Sequence, residues 1–252
     1  MPDLIILGSA ASVPDADHDT VSMVLRGREG SILIDCGGSP LHKLARLGIE
    51  IEDVCAVILT HHHADHIYGL PMLVQGLWLG GRETSVPIYG PRQALDRAQR
   101  LLEVFELSGR EEMFDLIWHP VPLRQGRRVL ALGQIEITAA PVMHAGNDTL
   151  ALRLEDTVTG RAIVYSADTE PCPALIRLAA GADLLLHEAT GDHAGHSSPA
   201  QAAEVAREAG VERLVLTHYP VVDTDLGEWR RKAARQGVEV ELAQDGDVYP
   251  LL

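Results

Sequence analysis

Directly after the apolar run Ala56–Leu59 the chain reads Thr60-His61-His62-His63-Ala64-Asp65-His66, four imidazoles and a carboxylate within six positions. A buried strand that ends this way places its donors at a sheet edge, where a turn can converge them. Imidazole nitrogen and carboxylate oxygen without thiolate suit zinc, and also manganese or iron. A solvated histidine-rich loop is the bland alternative, but donors this dense behind an apolar strand argue for a metal site. Any fold for this chain must therefore leave one sheet edge open and bring further donors to it.

Short aliphatic runs supply the strands: Leu4–Leu7, Ser22–Leu25, Ser31–Asp35, Ala56–Thr60, Val86–Tyr89, Ile135–Ala139, Leu150–Leu154, Ala162–Ser166, Ala182–His187, Arg213–Thr217 and Val238–Leu242. Each is bounded by Gly, Pro or polar residues. Helices are expected from Ser39-Pro40 to about Gly48, from His66 to about Leu79, over Pro91–Leu107, and from Asp225 to Gln236. Ser198-Pro199-Ala200-Gln201 combines an N-cap, a proline at the first helical position and a capping-box Gln, opening a helix that ends near Gly210. Early strands follow one another with little helix, and later ones alternate with helices. That mixture predicts an α/β fold of two sheets packed face to face with helices outside, a four-layer αββα sandwich. With no low-complexity linker, charge block or short-period repeat, residues 1–252 read as a single domain.

Composition narrows the function. Aromatics make up only 4% of the 252 residues, so the core leans on Leu, Val, Ile and Ala. The formal net charge of −15 repels a phosphate backbone, which argues against extended nucleic acid unless a local positive site overrides it. Bound metals would be such a site. Cys36, Cys55 and Cys172 are odd in number and lack CxxC spacing, which fits a reducing compartment rather than disulfides. The N-terminus has neither the basic leader nor the long apolar stretch of a signal peptide, and Pro71, Gln75 and Gly76 break the most apolar later window. The expectation is a cytoplasmic chain with no membrane span.

One histidine cluster cannot close two coordination spheres, so donors at other strand ends are needed. His144 follows Ile135–Ala139 and a bend expected at Pro141; Asp168 follows Ala162–Ser166; His218 ends Arg213–Thr217. A carboxylate can bridge two ions, as an imidazole does not readily do, which makes Asp168 the natural bridge. Taken singly, His144 or His218 could be a capped or surface histidine, and Asp168 a helix N-terminal acid ahead of Pro171. Their shared place just past an apolar strand favours the ligand reading. His62 alternates out of the set, and His18, His42, His119 and His193 have no partner spacing and read as surface residues.

With these motifs in hand, the chain resembles the metallo-β-lactamase superfamily, specifically its ribonuclease Z-like branch. His61, His63, Asp65 and His66 match the HxHxDH signature, and His144, Asp168 and His218 its later ligands. Leu7-Gly8-Ser9-Ala10 with Val13-Pro14, Ile34-Asp35-Cys36-Gly37, Ile88-Tyr89-Gly90-Pro91, Tyr165-Ser166-Ala167-Asp168-Thr169, His187-Glu188-Ala189-Thr190 and His196-Ser197-Ser198 are similar to its other motifs. The match runs from residue 4 to residue 250. The resemblance implies two divalent ions per chain, zinc foremost, with His61, His63 and His144 on the first, Asp65, His66 and His218 on the second, and Asp168 bridging. It implies that Asp65 also accepts a proton from the attacking water, that His196, supported by Glu188, protonates the leaving oxygen, and that the chain forms a homodimer. For Glu188 a buried strand end is the alternative, and His196 could simply precede the Ser198 cap.

Two ions about 3.5–4 Å apart activate water and clamp both oxygens of an in-line displacement, which a phosphodiester uses in full. Ribonuclease Z proper usually carries a long tRNA-binding arm between the ligands matched by His144 and Asp168. Here that interval is 24 positions, room for two strands and a turn. The expected substrates are therefore small or nucleotide phosphodiesters, with ribonuclease Z-type cleavage of tRNA 3′ ends as an alternative. The related cyclic phosphodiesterase of phosphonate degradation often has a cysteine-rich zinc site, which this chain lacks. A lactone or thioester hydrolase is a further alternative, and a non-catalytic metal-binding scaffold the last.

Overall fold

Where every position of a strand is apolar, both of its faces must be covered, and strands such as Leu4-Ile5-Ile6-Leu7 and Ala56-Val57-Ile58-Leu59 are of that kind. The computed structural model, which describes residues 2–234 and 237–251, covers them with a second sheet on one side and helices on the other. In chain order the elements are β1 (Asp3–Gly8), β2 (Ser22–Arg26), β3 (Ser31–Ile34), α1 (Pro40–Arg46), β4 (Val54–Ile58), α2 (Ala64–Ile67), α3 (Leu70–Leu79), β5 (Val86–Gly90), α4 (Arg92–Val104), β6 (Leu116–Pro120) and β7 (Arg127–Leu132). They continue with β8 (Ile135–His144), β9 (Asn147–Asp156), β10 (Ala162–Tyr165), α5 (Pro173–Ala179), β11 (Leu184–Glu188), α6 (Pro199–Ala209), β12 (Arg213–Thr217), α7 (Leu226–Ala234), β13 (Glu239–Leu242) and β14 (Val248–Pro250).

The two sheets run β14-β1-β2-β3-β4-β5-β6 and β7-β8-β9-β10-β11-β12-β13. Each pairs antiparallel through its first four strands and parallel through its last three pairings. The halves thus share one plan, with the first sheet taking its edge strand β14 from the C-terminal end of the described chain. Helices follow the parallel strands in both halves, because parallel neighbours need a crossover. The expected early run of strands with little helix holds for β1 to β3, β7 to β10 form a second helix-free run, and α1 to α4 lie in the first half where the sequence predicts its first three helices. The four-layer αββα sandwich itself is what the structure has.

Alternation sorts the side chains. Leu4, Ile6, Met23, Leu25, Ile32, Ile34 and Ile58 face Ile135, Ile137, Leu152, Leu154, Ile163, Tyr165 and Leu186 between the sheets. Ile5, Leu7, Leu33, Val57 and Leu59 pack outward with residues of α1, α3 and α4, and Val164, Leu185, Leu214 and Leu216 do the same with α5 and α6. Fully burying one such side chain contributes about 1.5–3 kcal/mol, and it is this mutual coverage that holds the strand ends in register at the site.

Several elements differ from expectation. The strands β6, β7 and β14 and the helix α5 lie in stretches to which the sequence pattern assigns no element. The three strands are all edge strands with mixed exposure, so they carry little apolar periodicity. The helix expected from His66 to Leu79 starts earlier, at Ala64, and is interrupted between Ile67 and Leu70. No bend occurs at Pro141: β8 runs straight through it, paired with Leu150. Ser39 caps α1 without a side-chain bond, whereas the Ser198–Gln201 capping box forms in both directions. Of the last expected helix, residues 226–234 are helical, and Arg235 and Gln236 lie outside the described residues.

Candidate metal centre

The carboxyl ends of β4, β10, β11 and β12 and the far end of β8 meet at one edge of the sandwich. After β4 the chain turns so that His63, in extended conformation, precedes α2, and Asp65 and His66 fall in its only turn. His144 is the last residue of β8. Ala167 (φ 50°) and His218 (φ 47°) adopt left-handed backbone, the sharp turns that aim Asp168 and His218 back over the sheet edge. His61, His66, His144, Asp168 and His218 are buried, and Asp65 nearly so.

Besides Asp168, His196 and His218, which form an overlapping group, two separate donor groups result, with ligand atoms within 4.8 Å of one another: His61, His63, His144 and Asp168, and beside them Asp65, His66 and His218. Asp168 stands between them. Its Oδ2 lies 3.7 Å from both His61 Nε2 and His144 Nε2, and its Oδ1 lies 3.5 Å from His66 Nε2 and 3.6 Å from His218 Nε2. His218 Nε2 is also 3.2 Å from Asp65 Oδ2 and 3.3 Å from His66 Nε2.

The outer nitrogens of the same rings are engaged elsewhere. His66 Nδ1 meets Asp35 Oδ2 at 2.9 Å, His144 Nδ1 the Gly195 carbonyl at 2.7 Å, and His218 Nδ1 the Thr190 hydroxyl at 2.8 Å. His61 Nδ1 meets Thr60 Oγ1 at 3.1 Å and His63 Nε2 the Asn147 carboxamide at 3.2 Å. Such outer partners orient metal-binding imidazoles and fix which nitrogen carries the proton. Inward, His61 Nε2 and Asp168 Oδ1 are buried with no hydrogen-bond partner. Leaving buried polar atoms unpaired is costly, and a pair of divalent cations would satisfy both. The donor set, five imidazoles and two carboxylates, fits them.

Known proteins resemble this chain in sequence and fold. A family model described as a beta-lactamase superfamily domain matches residues 31–219. Ribonuclease Z of Methanothermobacter thermautotrophicus is 30% identical over 273 aligned positions covering 86% of each chain, and ribonuclease BN of Proteus mirabilis is 30% identical over 86% of this chain and 88% of its own. Among solved structures, the metallo-beta-lactamase fold protein YhfI from Bacillus subtilis (27% identity, TM-score 0.82) covers 98% of both chains. The short form of human tRNase Z (26%, 0.80) covers 99% of both. The chain belongs to the metallo-β-lactamase superfamily, in its ribonuclease Z-like branch. It is a metal-dependent hydrolase, and its histidine–aspartate clusters are suited to divalent metal.

The electrostatics follow from crowding in this superfamily site. Burial, then repulsion from His66, pushes the His61 pKa well below the usual histidine value. Burial also disfavours a charged His66, but Asp168 and Asp35 outweigh it and hold its pKa well above that value. For Asp168 burial opposes ionisation, yet the neighbouring His218 and His66 hold its carboxyl well below the ordinary range. Asp65 is lowered as well: burial opposes ionisation, but His218 and Ser12 bond to it and His66 attracts its charge.

Next to the donors, Glu188 is fully buried at the end of β11. Its Oε1 accepts from Thr169 N (3.1 Å), Ser197 N (3.0 Å) and His196 Nδ1 (3.1 Å), and its Oε2 from Thr190 N (2.7 Å). His196, half-buried, lies 4.0 Å from Asp168 Oδ2, with its ring edge-on to His144 and parallel to that of His218. Burial lowers its pKa, but the bond and charge of Glu188 more than offset that and raise it.

All nine residues singled out from the sequence converge here: His61, His63, Asp65, His66, His144, Asp168, Glu188, His196 and His218. His62 stays outside the donor groups, with its ring beside that of His63. His42 and His193 are exposed, as expected, and His193 sits at the rim 5.1 Å from the His196 ring. His18 is a correction. It is 92% buried, because Asp15 and Gln244 bind its two nitrogens. His119 is half-buried and stacked on Tyr89, its partner across β5 and β6. Ser12, Asp35, Thr60 and Asn147 support the site without a role predicted for them from the sequence. Asp35 and Thr60 lie just past apolar strands, the signal that marked the ligands; Ser12, whose hydroxyl donates to Asp65 Oδ2 at 2.6 Å, has no such signal.

Proposed function

We propose that this chain is a phosphodiesterase of the ribonuclease Z kind, cleaving a phosphodiester in RNA by hydrolysis. The observation that carries the reading is the Glu188–His196 pair, set against Asp168 and built as an acid relay. Glu188, satisfied by three backbone N–H groups and held without freedom to turn, binds His196 Nδ1 and so directs Nε2 away from itself. The same contact raises the His196 pKa, which keeps a proton available for a departing alkoxide. Acyl transfer from a lactone has less need of such a group.

His61, His63, His144 and Asp168 would hold one cation, Asp65, His66, His218 and Asp168 the other, with zinc as the proposed metal. Two such cations supply Lewis-acid polarisation of the phosphoryl oxygens and a nucleophile at neutral pH. Asp65, fixed by Ser12 and His218, is placed to take up the proton the nucleophile releases. The names of the relatives, ribonuclease Z and ribonuclease BN, support RNA as the first substrate to test.

Small nucleotide diesters are the second reading, favoured by two observations. The interval from His144 to Asp168 is filled by β9, β10 and their connections. In addition, the 273-position alignment uses only 86% of this 252-residue chain, so the Methanothermobacter relative carries insertions that this chain lacks. The test is a panel of pre-tRNA, dinucleotides, cyclic nucleotides, bis(p-nitrophenyl) phosphate and lactones, run with elemental and size analysis. Hydrolysis of the diesters, slowed about a hundredfold or more by His196→Ala at unchanged metal content, is the expected result. Fast lactone opening with inert diesters would overturn the phosphodiesterase reading, and no turnover of any substrate by metal-loaded protein would favour a scaffold.

A further inference from the structure

Asn147 opens β9 across a two-residue turn, Ala145–Gly146, directly opposite His144 in the strand register. Both turn residues have positive φ (46° and 81°), the conformation that closes the tightest antiparallel hairpins. The backbone of Asn147 is thereby locked to that of His144. From there its side-chain nitrogen lies 3.2 Å from Nε2 of His63. The other ring nitrogen of His63, Nδ1, lies 3.0 Å from His144 Nε2 and faces the first donor group.

A neutral imidazole has one N–H and one lone pair. If His63 gives its Nδ1 lone pair to a cation, its proton must sit on Nε2, where it needs an acceptor. Among the described residues the only group bonded to that nitrogen is Asn147. A carboxamide has donors at one end and an acceptor at the other, and it exchanges them by a half-turn about its last bond. With Nδ2 toward the ring it matches a proton on Nδ1, which then donates to His144 Nε2. With Oδ1 toward the ring it matches a proton on Nε2 and leaves Nδ1 to a cation. Passing from one arrangement to the other releases a proton at Nδ1 and takes one up at Nε2, so the ring stays neutral.

We infer that Asn147 is a positioning residue that sets the tautomer of His63 and reverses its carboxamide when the first donor group takes a cation. The inference rests on the reading of the cluster as a metal centre. It also gives a reason for Asn rather than Asp at this position: a carboxylate could serve only the cation-bound tautomer, and an amide serves both.

The experiment compares wild type, Asn147→Ala and Asn147→Asp by zinc titration against a chelating indicator and by nitrogen-15 spectra of the histidine rings. Loss of an outer partner weakens metal binding by about 10–100-fold, so Asn147→Ala should lose about that much at one of two sites. Asn147→Asp, which keeps the acceptor, should bind as tightly as wild type or more so. In zinc-loaded wild type the His63 proton should be found on Nε2. Unchanged affinity in Asn147→Ala, an equal loss in Asn147→Asp, or a proton on Nδ1 of zinc-loaded His63 would overturn the inference and leave the metal centre standing. Failure of wild type to bind zinc or any other divalent cation would overturn both.

Discussion

Replacing Asp35 by Asn should disable one half of the metal centre. Asp35 is fully buried just past β3 and accepts from Thr60 N (2.8 Å), from Thr60 Oγ1 (2.8 Å to Oδ2 and 3.1 Å to Oδ1) and from His66 Nδ1 (2.9 Å). The variant keeps the shape and loses the charge. Its oxygen must stay where Oδ1 is, because a backbone N–H points there, so its NH2 falls where Oδ2 was, against His66 Nδ1. His66 can then only accept at Nδ1, and its proton moves to Nε2, the atom 3.3 Å from His218 Nε2 and 3.5 Å from Asp168 Oδ1. That nitrogen is the one His66 would offer a cation. Disturbing an outer partner of this kind weakens metal affinity about 10–100-fold, equivalent to about 1.4–2.8 kcal/mol. A hydrogen bond to a charged group is itself worth about 1.5–3 kcal/mol, so stability of the metal-free chain should fall by a similar amount. Competition titration with a zinc indicator should show one tight site kept, on His61, His63 and His144, and one weakened. If Asp35→Asn binds two equivalents with wild-type affinities, the argument that Asp35 dictates the His66 tautomer is wrong.

Gly195→Ala should damage the site from the other side. Gly195 has φ +86°, and a Cβ there would lie 2.9 Å from His144 Nδ1 and 3.0 Å from the Ala145 nitrogen. Diester turnover and zinc content should both drop, and retention of both would show that the loop yields freely. Ser198→Ala removes the capping box of α6 and should cost about 1 kcal/mol, read as a Tm about 2–4 °C lower for a chain of this size; an unchanged Tm would mean the cap contributes nothing. Stripping divalent ions with a chelator should lower Tm, and restoring zinc to a hundred times its Kd should return about 2.7 kcal/mol per site. Identical melting curves with and without zinc would contradict the folded-state metal centre.

By itself the amino-acid sequence determined the local features. Runs apolar at every position required strands covered on both faces, Ser198-Pro199-Ala200-Gln201 required a helix start, and the His61–His66 cluster required a polar sheet edge. Those properties depend on neighbours a few positions apart, and side-chain chemistry alone sets them. Of the twelve histidines, the ones that act together were legible from the cluster itself, from places just past apolar strands and from the family resemblance; only the tertiary structure decided what holds each ring. His18 and His218 both follow short irregular stretches or strands, yet one is held by Asp15 and Gln244 and the other is aimed at Asp65, 153 positions away in the chain. Likewise Arg127–Leu132 is a strand because β8 is there to pair with it, and Asn147 reaches His63 because a two-residue turn fixes the register of β8 against β9. Pairing partners and register are long-range choices, made by the packing of the two sheets, and no local pattern of residues encodes them.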